Sequence, residues 1–130
     1  MLTEKRHLGD GGEEAAAKYL RKNGYRIRER NFVTGKHEID IIAENADCIV
    51  FVEVKSRTYS RENEERFGRP CMAVNHAKQC NIISAARSYL SKIKVQKHVR
   101  LDVIEVYFDD HTPPRLLSVH HMPDAFRIRM

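Results

Sequence analysis

The chain has 130 residues, 42% of them hydrophobic, which suits one compact domain with its own core. Its 23 basic and 18 acidic residues leave a net charge of +5, a modest pull toward a polyanionic partner. No apolar run approaches the roughly 20 residues of a membrane span, so no membrane partner is expected. The opening Met-Leu-Thr-Glu-Lys-Arg-His lacks the apolar stretch of a signal peptide, and a cytoplasmic protein is expected. Cys48, Cys71 and Cys80 are odd in number and show no CxxC spacing, so buried thiols are expected in place of a disulfide or zinc site.

The predicted elements run as follows. Residues 10–23 read as a helix, with Asp10 as its cap, Glu13 and Glu14 in its first turn and Gly24 at its end. Residues 25–31 alternate as a strand, and Thr34-Gly35-Lys36 is a turn. A second strand covers 37–44, a turn 45–47, and a third strand 48–55. Residues 56–70 read as a charged loop closed by Gly68 and Pro70, and 73–93 as a long amphipathic helix. A strand follows at 99–107, then a break at Pro113-Pro114 and a short strand at 115–119. The fold class is α/β, a mixed β-sheet flanked by helices in the order αβββαββ. It forms a single domain over 1–130, with its core at 8–107 and a short strand and tail at 108–130.

The third strand, Cys48-Ile-Val-Phe-Val-Glu-Val-Lys55, is apolar on both faces until its end, as a central strand is. Glu53 and Lys55 share a face with Ile49 and Phe51, so a charged pair continues a core-facing line. A hairpin loop over 45–48 sets Ile42 opposite Phe51, Asp40 opposite Glu53 and Glu38 opposite Lys55. Two opposed carboxylates repel, more so when desolvated. Lys55 offsets part of that, and a hard divalent cation offsets more. Glu13, on the first helix, stands three, four and seven residues before Ala16, Ala17 and Leu20, which puts it by the apolar stripe. Each residue alone has a plainer reading: a surface ion pair, a strand end, a helix-dipole acid. The specific signal is their joint occurrence, a helix-borne acid followed by D-x₁₂-E-x-K on a hairpin.

These residues resemble the PD-(D/E)xK nuclease superfamily. The flanking sequence is similar to the YraN-like family of bacterial proteins, itself similar to archaeal Holliday-junction resolvases. The matching features are Leu8-Gly9, Gly12-Glu13, Gly24-Tyr25, Arg30-Asn31, Glu38-Ile39-Asp40 and Phe51-Val52-Glu53-Val54-Lys55. Further on come Phe67-Gly68 with Pro70, Ala73-Val74, Lys78-Gln79 and Arg100-Leu101-Asp102-Val103. The chain departs from the family in having His37 where a Gly usually precedes Glu-Ile-Asp, and His37 reads as a turn residue.

The resemblance implies a restriction-endonuclease-like fold and a metal-dependent endonuclease acting on DNA, including branched or junction-like forms. The alternative is a non-catalytic nucleic-acid-binding protein that keeps the fold. Asp40 and Glu53 match the metal-binding acids, Lys55 the motif lysine and Glu13 the helix acid; Mg²⁺ or Mn²⁺ is the implied cofactor, with the Val54 carbonyl as a further ligand. Arg57, Arg61, Arg66 and Arg69 follow the motif strand as candidate phosphate contacts, although Glu62, Glu64 and Glu65 offset their charge. Lys78 and Gln79 are further candidates from the next helix, while His76, His98, His111, His120 and His121 show no ligand spacing and read as surface or core-edge residues, and Asp102 reads as structural. A homodimer is expected only by analogy with the resolvases.

Overall fold

The computed structural model of the chain describes residues 4–59, 74–94 and 96–127. Its elements are α1 (Glu4–Lys22), β1 (Arg26–Thr34), β2 (His37–Glu44), β3 (Cys48–Thr58), α2 (His76–Ser91), β4 (His98–Phe108) and β5 (Leu116–Phe126), the expected αβββαββ order. The five strands form one sheet in the order β1-β2-β3-β4-β5. β3 and β4 are parallel, and every other pairing is antiparallel. A parallel pair needs a crossover, and α2 lies in the one between β3 and β4. Among the described residues no helix is long and apolar enough to cross a membrane.

One helix covers each face. Ala16, Ala17 and Leu20 of α1 pack on Ile41, Ala43, Val50, Val52, Ile104 and Val106. Ile82, Ala85, Ala86 and Tyr89 of α2 pack on Ile39, Ile42, Ile49, Phe51, Leu101 and Val103. β2 and β3 are thus buried on both sides along Ile41-Ile42-Ala43 and Ile49-Val50-Phe51-Val52, where their sequences are continuously apolar.

Several boundaries differ from those read in the sequence. α1 starts at Glu4, so Asp10 lies inside the helix and does not cap it. The glycines around it are poor helix formers, but they let the helix approach the sheet. A Cβ on Gly12 would stand 1.9 Å from Ser56 Oγ and 3.2 Å from Ser56 Cβ. The helix ends as expected at Gly24 (φ +88°), with the Tyr25 amide donating to the Leu20 carbonyl at 2.9 Å. β1 runs three residues past its expected end, and Thr34 pairs with His37, which leaves Gly35-Lys36 as the turn. β3 likewise continues to Thr58, because the parallel register with β4 extends to Thr58↔Phe108. α2 is shorter than 73–93 and begins at His76, where the Asn75 side chain accepts the Lys78 amide.

The largest correction is β5. It has 11 residues and pairs with β4 from Leu101↔Phe126 to Phe108↔Leu116, so this segment is an integral strand. Pro123 obscures it in the sequence, but an edge strand tolerates a proline. Its residues also enclose Asp102, which is fully buried. His121 Nε2 lies 2.6 Å from Asp102 Oδ2, Arg100 makes bonds of 2.8–3.2 Å to both oxygens, and the Asp124 amide donates to Oδ1 at 2.9 Å. Burial alone would raise this carboxyl, but the bonds from His121, Arg100 and Asp124 outweigh it and hold the group below its ordinary value. Asp102 is structural, as expected, whereas His121 is a tightly engaged interior group: Tyr19 Oη meets its Nδ1 at 3.1 Å.

Two outcomes test this packing. Gly12→Ala should destabilise by about 1–3 kcal/mol, because crowding against Ser56 outweighs the roughly 1 kcal/mol alanine gains in a helix. Ser56→Ala should restore part of that loss, and additive effects in melts of the double-mutant cycle would refute the contact. Asp102→Ala should cost about 3–5 kcal/mol, since it strands Arg100 and His121, and an unchanged urea midpoint would refute the network.

Candidate active site

The site forms where the β2–β3 ladder opens. Ile42 pairs with Phe51 as expected, but the register ends at Ile41↔Val52. The expected continuation, Asp40 opposite Glu53 and Glu38 opposite Lys55, is replaced by a side-chain bond: the Val54 amide donates to Asp40 Oδ2 at 2.8 Å. Face alternation breaks at the same level. Ile39 belongs to the α2-side core and Ile41 to the α1-side core, although residues two apart in a regular strand share a face. On β1, Asn31 stands between the Arg30↔Ile41 and Phe32↔Ile39 pairs with φ +52°. Asparagine is among the few residues that tolerate this left-handed region.

Four acids gather around this opening. Asp40 is pushed up to about 7, first by burial, then by the charge of Glu53, with smaller contributions from Glu13 and Glu38; the Val54 amide pulls the other way. With its amide nitrogen turned toward the acids, Asn31 donates to Glu13 Oε1 at 2.8 Å and Glu38 Oε1 at 3.0 Å. The Gly12–Ser56 approach seats α1 so that Glu13 reaches the cluster. Glu53 is buried and faces two cations, Lys55 Nζ at 3.6 Å and Lys78 Nζ at 3.7 Å.

The expected residues therefore separate into groups. Asp40, Glu53, Lys55 and Glu13 come together, and Lys78 joins them from the first turn of α2. Gln79 instead donates to the Val74 carbonyl at 3.0 Å, and Arg57 Nε lies 3.3 Å from the fully buried Glu105. Arg61, Arg66 and Arg69 lie outside the described residues, as do Cys71 and the rest of 60–73. Cys48 is half-buried and Cys80 is exposed, so the expectation of buried thiols fails for Cys80. Asn31 and Glu38 were not among the residues picked from the sequence as site residues. Asn31 closes the strand expected at 25–31, where an asparagine is ordinary, and only the extension of β1 to Thr34 places it inside the strand level with Asp40.

Among the described residues, no three His, Cys, Asp or Glu side chains are grouped closely enough to hold a metal ion as they stand. The donor chemistry fits a hard cation of the Mg²⁺ type all the same. Such an ion takes one or two carboxylates, keeps several waters and shares a substrate phosphate, and Asp40 with Glu53 is a pair of that kind whose mutual repulsion is only partly offset.

The raised Asp40 value sets a pH dependence. Its unfolded value is 3.8 and its folded value about 7, so its contribution to stability is fully present below pH 4 and is lost as pH rises through 7. Asp40→Asn should therefore stabilise the metal-free protein near pH 8 by about 1–2 kcal/mol, with little effect near pH 4. Thermal melts across that range check it, and equal shifts at both ends would refute the assignment.

Comparison with known proteins agrees with this frame. The model of a family described as uncharacterised protein family UPF0102 matches residues 12–106. A UPF0102 protein of Clostridium perfringens is 41% identical over 129 residues, covering 98% of this chain and 100% of its own. Another, from Clostridium acetobutylicum, is 48% identical over 99 residues, 75% of this chain and 77% of its own. A third, from Geobacter metallireducens, is 38% identical over 129 residues and covers 98% of both chains. With a family match across both central strands and α2, and relatives that align over nearly their full lengths, the chain belongs to the UPF0102, or YraN-like, family.

Proposed function

We propose that this protein is a metal-dependent endonuclease that hydrolyses DNA phosphodiesters, with branched or junction-like DNA as its preferred form. The observation that carries the reading is the pairing of Asp40, pushed up to about 7, with the buried Glu53 beneath Lys55 and Lys78. Two acids and a lysine at one opening of a sheet suit phosphoryl chemistry, which needs charge neutralisation and a positioned water. Asp40, Glu53 and the Val54 carbonyl would hold Mg²⁺ or Mn²⁺, with Glu13 near a second ion or a coordinated water. When bound, that ion supplies Lewis-acid polarisation of the phosphoryl oxygen and a more acidic water.

The chain's own groups do the rest. Lys55 and Lys78 place positive charge beside the position of a phosphate and stabilise the charge that develops on its oxygens. Without a metal, burial and the charge of Glu53 hold Asp40 up to about 7, so its proton competes with a cation for the carboxylate pair at lower pH. The Asn31 bridge holds Glu13 and Glu38 at the rim and limits the freedom of the cluster. The net charge of +5 favours phosphate-driven binding with little base readout.

Cleavage of branched and linear DNA with Mg²⁺ or Mn²⁺ tests the reading. Wild type should cleave, more slowly below pH 7, and Asp40→Asn should abolish both cleavage and metal-dependent stabilisation. Lys55→Ala should lower cleavage by about 10²–10³-fold while DNA affinity changes little. Binding should weaken steeply with salt. Undiminished cleavage by the Lys55 variant would place any activity elsewhere. Salt-sensitive binding without cleavage would leave a DNA-binding protein that keeps the fold.

A further inference from the structure

β3 runs past its motif through Ser56, Arg57 and Thr58 in unbroken parallel register with β4. Alternation therefore holds to the end of the strand. Ser56 faces α1, where it meets Gly12, and Glu53, Lys55 and Arg57 share the opposite face. Glu105 lies on that face too. It is the register partner of Lys55, and its fully buried carboxylate accepts from Arg57 Nε at 3.3 Å across the diagonal. Two cations thus stand in line on one strand, each leaning on a buried acid: Lys55 on Glu53, and Arg57 on Glu105. Both cationic side chains keep 29% of their surface exposed, so both are open to a ligand. Glu105 engages Arg57 through Nε alone. A guanidinium has further N–H donors on its two terminal nitrogens, and among the described residues none accepts from Nη1 or Nη2 of Arg57.

We propose that Arg57 binds the phosphate next along the strand from the one beside Lys55, and that Glu105 is the positioning residue that holds its fork for that contact. The proposal rests on the nuclease reading above and adds to it the run of the substrate. One DNA strand follows the end of β3, from the acids at Asp40 and Glu53 past Lys55 to Arg57. Spacing carries the assignment. Residues two apart in a strand are separated by about 6.6 Å, close to the separation of neighbouring phosphates on one nucleic-acid strand. The planar donors of an arginine match phosphate oxygens, and anchoring it through Nε leaves less freedom to lose on binding. Burying a carboxylate is costly, and an apolar residue would serve stability as well or better. What Glu105 adds is a fixed direction for the guanidinium.

Binding of a four-way DNA junction by the metal-free full chain, followed by fluorescence anisotropy between about 50 and 200 mM salt, tests this without cleavage. Arg57→Met combined with Glu105→Gln removes both charges, so neither is left buried and unpaired. That variant should bind about tenfold more weakly at low salt, and the slope of log affinity against log salt should fall by about one. Arg26→Ala, which removes an exposed arginine at the start of β1, should leave the slope unchanged. Arg57→Lys keeps a cation for Glu105 and loses the fork, so it should weaken binding about threefold at an unchanged slope. Glu105→Gln separates positioning from charge. It makes the face more positive, so charge alone would tighten binding, whereas loss of the anchor should weaken it. Tighter or unchanged binding by Glu105→Gln, or wild-type affinity in Arg57→Lys, would overturn the positioning role. An unchanged slope in the double variant, an equal fall in Arg26→Ala, or no binding by the wild type would overturn the phosphate contact. Wild-type cleavage together with an unchanged slope in the double variant would reject Arg57 and leave the nuclease reading intact. The expected fall in slope without wild-type cleavage in Mg²⁺ or Mn²⁺ would reject the nuclease reading and keep Arg57 as a phosphate contact.

Discussion

The rest of the site depends on one hydrogen bond, from the Val54 amide to the Asp40 carboxylate. A backbone amide at the end of a central strand needs a partner, and burying it without one costs about as much as a lost hydrogen bond. In a regular hairpin the partner strand's backbone supplies it. Here the ladder stops at Ile41↔Val52, and a side chain takes over. Asp40 is thereby fixed beside Glu53 and desolvated at the same time. Stabilising the strand end thus creates the electrostatic problem that makes the site chemically useful.

The surrounding groups read as partial answers to that problem. Lys55 and Lys78 stand near Glu53, and Asn31 ties Glu13 to Glu38. None of them donates to Asp40, so burial and the neighbouring charges still push it far above the ordinary range. Two other buried carboxylates contrast with this. Glu44 is met by Arg26, Arg28 and Lys97, and Asp102 by Arg100 and His121. Each of these carboxylates has at least one cationic partner, as structural ion pairs in a core should. One sheet therefore carries well-matched buried carboxylates and one under-compensated cluster, the contrast expected of a functional site.

The two faces contribute differently. On the α1 side the close approach at Gly12 sets how far Glu13 reaches. On the α2 side the capped start at Asn75 sets where Lys78 enters. Both helices thus fix site geometry through their N-terminal halves and fill the core through Ala17, Leu20, Ile82 and Tyr89. Changes in core packing should be felt at the site through these rigid-body placements.

The sequence by itself determined the element order, the central position of β3, the Ile42–Phe51 register and the shared location of Asp40, Glu53, Lys55 and Glu13. Those follow from short-range regularities: strand alternation, helical periodicity and the parity of one hairpin. Tertiary structure decided what those regularities do not encode. The ladder opens at Asp40 where Asn31 on the neighbouring strand takes a left-handed conformation at the same level, a break in strand geometry that alternation alone does not signal. β5 extends through Pro123 because it is an edge strand, and His121 becomes an interior partner only when that strand lies beside β4. Arg57 turns to Glu105 because β3 continues in parallel register past its motif. Each is fixed by packing and charge pairing across the fold, so local pattern carries no record of it.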